Sequence, residues 1–446
     1  MLNEGASLDR CLDLVTRART LGADAADAVY VGQASHGVHI RQGQIETVDR
    51  SESEHFALRV FAGQRSATIG SATADDASLG ELAQRAMAMA HAAPEDPWAG
   101  LAPHDMLMNG PLPLLDLISP DPGAQVLQDA ARQVEDAGRS MAGITNSEGA
   151  AAHYGRDRFA LVTSHGFAGS FEQARHSRSA AFVAGTGAAM QRGWMMRSAH
   201  HADDLLHDAQ LGQEAAKRAL ERLNPAAMTG GKLPVVFDRE VAASLIGHLA
   251  AAMSGEAIAR GASFLLGREG ACIFARGVTI TDDPLRPRGL GSRPFDGEGL
   301  PAKTRDLVQD GQLGEWLLDS AAARKLGRRP TGNASRGGGS TGVTLSNATL
   351  AQGSNTVAEL IGDIADGVLV TELIGQGVNP VTGDYSRGAS GRRIRNGIIA
   401  EPVAGLTIAG NLIAMFGQLT PANDLERHRA VNAPTLRIDG MTVAGG

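Results

Sequence analysis

Cysteine is nearly absent: the 446-residue chain has two, Cys11 and Cys272, at unrelated places. That excludes a disulfide framework and any Cys-x-x-Cys metal knuckle, and leaves two free thiols. No Lys/Arg-rich run occurs, and 41 Lys plus Arg against 49 Asp plus Glu gives a net charge of −8. Neither a nucleic-acid backbone nor a membrane surface is a partner that such a chain attracts. No window approaches the ~18 uninterrupted apolar residues of a membrane-crossing helix. Met1–Arg10 lacks the basic segment and apolar stretch of a secretion leader, so the expected location is the cytoplasm. A fixed-period internal repeat is also missing.

Glycine, by contrast, is abundant, with 56 residues against the ~7% of ordinary usage, and implies many turns and bulges. Hydrophobic residues at 43% and a length about three times that of a usual domain predict two or three packed units. Ser7, with Leu8, Cys11, Leu12, Leu14 and Val15 and a stop at Gly22, predicts a capped amphipathic helix. From Asp24 to Ala72 the pattern alternates, predicting three to five antiparallel strands. Ser78-Leu-Gly-Glu81 reads as a capping box for a helix to about His91, followed by a proline-marked connector near 94–120. Helices near 124–137 and 211–223 flank further strands, and Asn224–Gly231 is the clearest linker. Lys232–Phe237 then reads as a strand, and Asp238 caps a helix running to about Arg260. The predicted class is α+β: an N-terminal mixed region with antiparallel sheets (1–223), then a β-rich C-terminal domain (232–446), a bent sheet or barrel wrapped around a helix.

Chemistry is harder to find. The glycine run 337–342 lacks the Lys-Ser/Thr that a phosphate loop needs and reads as a flexible loop. Arg387-Gly-Ala-Ser-Gly391 misses the nucleophile-elbow spacing by one and reads as a tight turn. His200 and His201 are adjacent, point apart, and read as solvated surface. Carboxylates at Asp282-Asp283, Asp296 with Glu298, and Asp424 either ligate a hard cation, act as acid and base, or simply make Asx turns, the simplest reading. His248, inside an Ala-rich helix, reads as a satisfied core or interface histidine, with a metal ligand or substrate contact as alternatives.

An ordered string of segments then resembles the TldD/PmbA family of peptidase-like proteins, in its PmbA (TldE) branch. It includes Gly247-His-Leu-Ala-Ala-Ala-Met-Ser-Gly255, Thr279-Ile-Thr-Asp-Asp-Pro284, Pro294-Phe-Asp-Gly-Glu-Gly299, Val370-Thr-Glu-Leu-Ile-Gly-Gln-Gly377, Thr382-Gly-Asp-Tyr-Ser-Arg-Gly388 and Thr407-Ile-Ala-Gly-Asn411. Together the segments span most of 234–446; Val38–Arg50 and Phe56–Gly70 are similar to the N-terminal domain more loosely.

The resemblance implies a site and a partner. In the metal-bearing TldD branch the corresponding helix carries His-Glu-x-x-x-His, and a cysteine near the C-terminus completes a zinc site. Here those positions are Ile246, Gly247, Ala251 and Ala433. None supplies the lone pairs that hold zinc, and Gly247 removes the carboxylate base. The implied chain is therefore the metal-free subunit of a TldD-TldE zinc metallopeptidase that cleaves unfolded or modified peptides, with no cofactor here and zinc on a TldD-type paralogue. It would supply a chamber wall and a substrate-binding edge at Gln376, Gly377, Gly383, Asp384, Tyr385, Ser386 and Arg387, with a purely structural hairpin as the other reading of that stretch. The alternative is a non-catalytic peptide-binding homodimer without a TldD partner. An autonomous hydrolase using Asp296, Glu298 or Asp384 is the third reading.

Overall fold

A computed structural model of the chain describes residues 1–72, 75–337, 339 and 341–445. The first half rests on one antiparallel sheet made of β1 (Ala25–Arg41), β2 (Gln44–Ala62), β3 (Arg65–Ser71), β4 (Ile144–Thr163), β5 (Ala168–Ala184) and β6 (Gln191–Ala199), in the order β3-β2-β1-β4-β5-β6. β1 and β2 pair from Ala25↔Phe61 to Arg41↔Gln44. Their turn, Gln42-Gly43, has φ of 53° and 76°, the primed hairpin geometry that matches strand twist.

Helices α1 (Glu4–Thr20), α2 (Asp76–Ala92), α3 (Ala124–Arg139) and α4 (Asp208–Leu220) cover one face of this sheet. Cys11, Leu14, Val15 and Ala18 form the buried stripe of α1 at helical spacing. Two starts differ from expectation. The Asn3 side chain caps α1, and Asp75 rather than Ser78 caps α2, because the side chain one turn earlier already accepts the free N–H.

The second half contains β7 (Gly231–Phe237), α5 (Arg239–Ala252), α6 (Gly255–Ala259), β8 (Ile280–Asp282), β9 (Arg305–Gln309), β10 (Gln312–Leu313), α7 (Ser320–Lys325), β11 (Ala334–Ser335), β12 (Gly342–Val343), β13 (Ala348–Leu350) and α8 (Val357–Ile361). Then follow β14 (Asp366–Ile374), β15 (Asp384–Arg395), β16 (Ile398–Asn411), α9 (Leu412–Gly417), β17 (Leu419–Pro421) and β18 (Leu436–Ala444). Strands β16-β15-β14-β7-β18 form a curled sheet, and β16 pairs back onto β18 (Thr407↔Ala444) to close a barrel. Only β7 and β14 run parallel within it. The largest apolar core joins Leu245, Ile246 and Leu249 of α5 to Phe237, Val370, Ile408 and Ile438 of the barrel. This is the β-rich domain around a helix that the sequence predicts. The helix is shorter than expected, however: α5 stops at Ala252, and the chain turns at Ser254 before α6.

The halves meet on the sheet face opposite the helices. There Val29, Ala57 and Leu161 pack with Phe167 and Phe295, whose ring centroids are 4.9 Å apart. Among the described residues no helix is long and apolar enough to cross a membrane.

Candidate functional site

Helix α5 begins where Asp238 accepts the Glu240 N–H at 2.9 Å, as its sequence predicts. Along it Ile246 is 1% exposed and sits in the core, Gly247 and Ala251 face outward, and His248 lies between. Ala433, 2% exposed, belongs to the same core as Ile246. Gly247 and Ala251 instead line a cleft of about 610 Å³ with Ala250, Leu317, Ser346 and Val431. The four positions that the resemblance assigns to zinc are thus split between a core and a cleft wall, and their side chains offer no N, O or S donor. This donor set does not fit a zinc ion. Among the described residues no three His, Cys, Asp or Glu side chains gather in a way that could hold a metal.

Facing α5 is the stretch 376–387. It is a hairpin tied by its own backbone: Asn379 N donates to Asp384 O (2.8 Å) and Ser386 N to Gly377 O (2.7 Å). A Cβ at Gly377 would stand 1.5 Å from the carbonyl oxygen of Ser386, so only glycine permits this approach. On its other side Asp384–Arg387 pairs with Asn411–Ile408 of β16. Asp384–Ser386 is thus paired on both sides and presents no free backbone edge for the peptide expected along 376–387. What this stretch offers a ligand is side chains. Gln376, Asp384 and Ser386 are exposed, Gly383 and Tyr385 are buried, and Arg387 lies between. Asp384 is bound by Thr382 Oγ1 (2.7 Å) and Asn411 (3.2 Å), which hold its carboxyl below the usual range.

Tyr385 and Arg387, two apart on β15, share a strand face. The Tyr385 ring meets His248 edge-on at 6.0 Å between centroids. Burial pushes the Tyr385 phenol up to about 12, against the pull of Arg387. Burial and then Arg387 lower His248. His248 Nε2 is buried without a hydrogen-bond partner among the described residues, as expected for a histidine in the core or at an interface only where a partner or ligand meets it.

The remaining carboxylate candidates are mostly structural. Asp283 Oδ1 accepts Leu285 N, and Asp296 Oδ1 accepts both Glu298 N and Leu300 N, the Asx turns foreseen. Asp424 instead clasps Thr435 through N–H and hydroxyl, and Asp282 receives Ser346 N. Asp296 and Glu298 are 1% and 3% exposed, enclosed between the halves, whereas Asp384 is exposed on the hairpin. Ser390 lies within β15 beside a register shift, a bulge rather than the expected turn. His200 is also corrected. It is fully buried, 2.6 Å from Ala174 O and 3.1 Å from Gly289 O, because the chain turns inward after β6 between the two halves. In the glycine run read as a flexible loop, positions 338 and 340 lie outside the described residues.

Two ionic clusters between the halves were not foreseen. Buried Asp27 on β1 binds Arg336 and Arg59, the latter at 2.5 Å, with Glu298 at 3.8 Å from Arg59. Glu240 on α5 receives Arg197 (2.5 Å), Arg429 and Arg218 (3.3 Å). No sequence signal marks either, since their members lie far apart in the chain.

Family models match across the chain: PmbA/TldA metallopeptidase domain 1 at 26–90, the central domain at 117–223, and the C-terminal domain at 230–445. Metalloprotease PmbA of Escherichia coli O157:H7 is 34% identical over 431 residues, covering 95% of this chain and 93% of that protein. A PmbA homolog of Haemophilus influenzae is 33% identical, covering 97% and 94%. Among solved structures, one from Bacteroides thetaiotaomicron, described as a candidate modulator of DNA gyrase, superimposes with a TM-score of 0.91 at 24% identity over 100% of both chains. TldE from Thermococcus kodakarensis does so at 0.86 and 19%, over 98% of this chain and 100% of that one. The fold is shared with both. On these matches the chain belongs to the PmbA/TldD metallopeptidase family.

Proposed function

We propose that this chain is the metal-free, TldE-type subunit of a two-chain zinc peptidase acting on unfolded or modified peptides. Zinc and the general base would sit on a TldD-type partner, and this chain would form part of the wall against which the peptide lies. The observation that carries the reading is the donor-free set at Ile246, Gly247, Ala251 and Ala433, set into an intact fold around α5. An apolar helix that packs well and offers no ligand suits a supporting role rather than hydrolysis by itself.

The test is to express the chain alone, then with a TldD-type paralogue from the same genome, and to assay casein cleavage and zinc content of each. The expected result is co-purification, activity only in the pair, and zinc only on the paralogue. Stoichiometric zinc and casein cleavage by this chain alone would overturn it. A stable homodimer that binds peptide and ignores the paralogue would favour the peptide-binding homodimer.

A further inference from the structure

Among the described residues, three neighbouring side chains each keep a buried polar atom without a hydrogen-bond partner: His248 Nε2, Tyr385 Oη and Arg387 Nε. Tyr385 is 1% exposed, and its ring lies edge-on to that of His248 with centroids 6.0 Å apart. Arg387 acts electrostatically on both, though no hydrogen bond of normal geometry joins it to the phenol. Among the described residues no carboxylate lies within ion-pair distance of Arg387, and Asp384, the nearest acid in sequence, is taken by Thr382 and Asn411. A buried polar group left unsatisfied costs about 1–3 kcal/mol, and folded proteins keep few of them. Three around one spot mark a place prepared for something else.

The chemistry of the three groups says what. Arg387 is a permanent cation and a forked donor, the phenol of Tyr385 is a donor at neutral pH, and a neutral imidazole can donate through Nε2. The set is rich in donors around one positive charge. A single guanidinium with two neutral donors matches a carboxylate, whereas a phosphate would call for more cationic charge. We infer that Tyr385, Arg387 and His248 form a carboxylate-binding site that holds an acidic group of the bound peptide, through its free C-terminus or an Asp or Glu side chain. This rests on the peptide-binding role proposed above and adds the group recognised. The partly exposed Arg387 provides the entry, beside the exposed Gln376 of the same hairpin.

The probes are three fluorescein-labelled decapeptides of Ala, Leu and Ser: one with a free C-terminal carboxylate, one amidated, and one amidated with an internal Glu. Anisotropy titrations use the full chain, alone and with its paralogue. The expected result is binding about ten-fold tighter for a carboxylate-bearing peptide than for the neutral amide. Preference for the first probe assigns the C-terminus, and preference for the third assigns a side chain. Arg387→Gln should erase the preference and Arg387→Lys restore part of it, while Tyr385→Phe, which keeps the buried ring, should cut it about three-fold. Melting temperatures check that each variant folds. Equal binding of acid and amide to the unmodified protein overturns the carboxylate site and leaves the peptide wall standing. No binding of any probe, alone or paired, overturns both.

Discussion

Glu240 and Glu298 lie at two seams between the halves of the molecule, and both are almost fully enclosed, with side chains 11% and 2% exposed. Their protons behave oppositely. For Glu240, burial pushes the carboxyl up, but contact with His428 and the guanidinium groups of Arg197, Arg429 and Arg218 overcome it and hold the group well below its ordinary value. For Glu298, burial also pushes up. Arg59 opposes it from 3.8 Å while Asp296 and Asp319 add like charge, and the result stands at about 7. Ser320 gives Glu298 Oε2 two neutral hydrogen bonds, through N–H (2.8 Å) and hydroxyl (2.6 Å). Burial alone therefore decides nothing. The number of cations per carboxylate, set against nearby acids, determines whether an enclosed acid strengthens a seam or strains it.

The largest expected effect follows from the first seam. Glu240→Gln leaves Arg197, itself 9% exposed, without its counter-charge. Removing one partner of a buried pair costs on the order of 3–5 kcal/mol, and the partial exposure of Arg218 and Arg429 places this case near 3. Urea unfolding at pH 7 reads it. The sign with pH is fixed: a lowered folded pKa stabilises above the ordinary value of 4.5, and that contribution fades as pH falls through the folded value. The gap between parent and variant should thus hold from pH 8 to 5 and shrink in acid. A cost below about 1 kcal/mol at pH 7 would break the comparison.

The same contrast explains what could be read in the sequence. Asp238 as a cap was legible because cap and capped N–H are two residues apart. The strands and the helix inside the barrel were legible from alternation and helical spacing. The Glu240 cluster was not, since Arg429 lies 189 residues away and only folding brings it to α5. The alternation of Tyr385 and Arg387 places them on one face, yet nothing local says that His248 faces them. His200 was misread because the period of a strand gives the direction of a side chain and not the depth at which it ends. That 384–386 is paired on both sides could not be read locally, because it depends on the turn at Asn379 and on β16 together.

The second seam yields a smaller and opposite effect. Because Glu298 keeps its proton up to about 7 when folded and loses it near 4.5 when unfolded, stability should fall as pH rises through that window. Glu298→Gln carries no proton to lose and still offers a carbonyl to Ser320. Parent and variant should agree within about 1 kcal/mol at pH 5, and the variant should be the more stable at pH 8 by on the order of 2 kcal/mol. Arg59, Asp27, Arg336, Asp296, Asp319 and Arg324 share this enclosure, so the melts belong at several pH values. A variant less stable than the parent at pH 8 would mean that the charged carboxylate strengthens the seam after all.

The smallest effect sharpens the comparison from outside. Glu256 in the first turn of α6 and Arg260 at its C-cap form an ion pair of 2.9 Å, with side chains 66% and 62% exposed. The geometry is as good as that of Arg218 with Glu240, and only the surroundings differ. In water the attraction is weakened by the solvent, both long side chains lose freedom to hold one arrangement, and salt screens what is left. A double-mutant cycle of Glu256→Ala and Arg260→Ala should therefore give a coupling of roughly 0.3–0.5 kcal/mol in 50 mM salt, and close to zero in 1 M. The Glu240 cluster, whose Arg197 and Glu240 side chains are 9% and 11% exposed, should lose a smaller share of its strength in 1 M salt than the exposed pair does. A Glu256–Arg260 coupling above about 1 kcal/mol, or a Glu240→Gln cost that vanishes with salt, would show that distance rather than enclosure sets the strength of charge pairs in this protein.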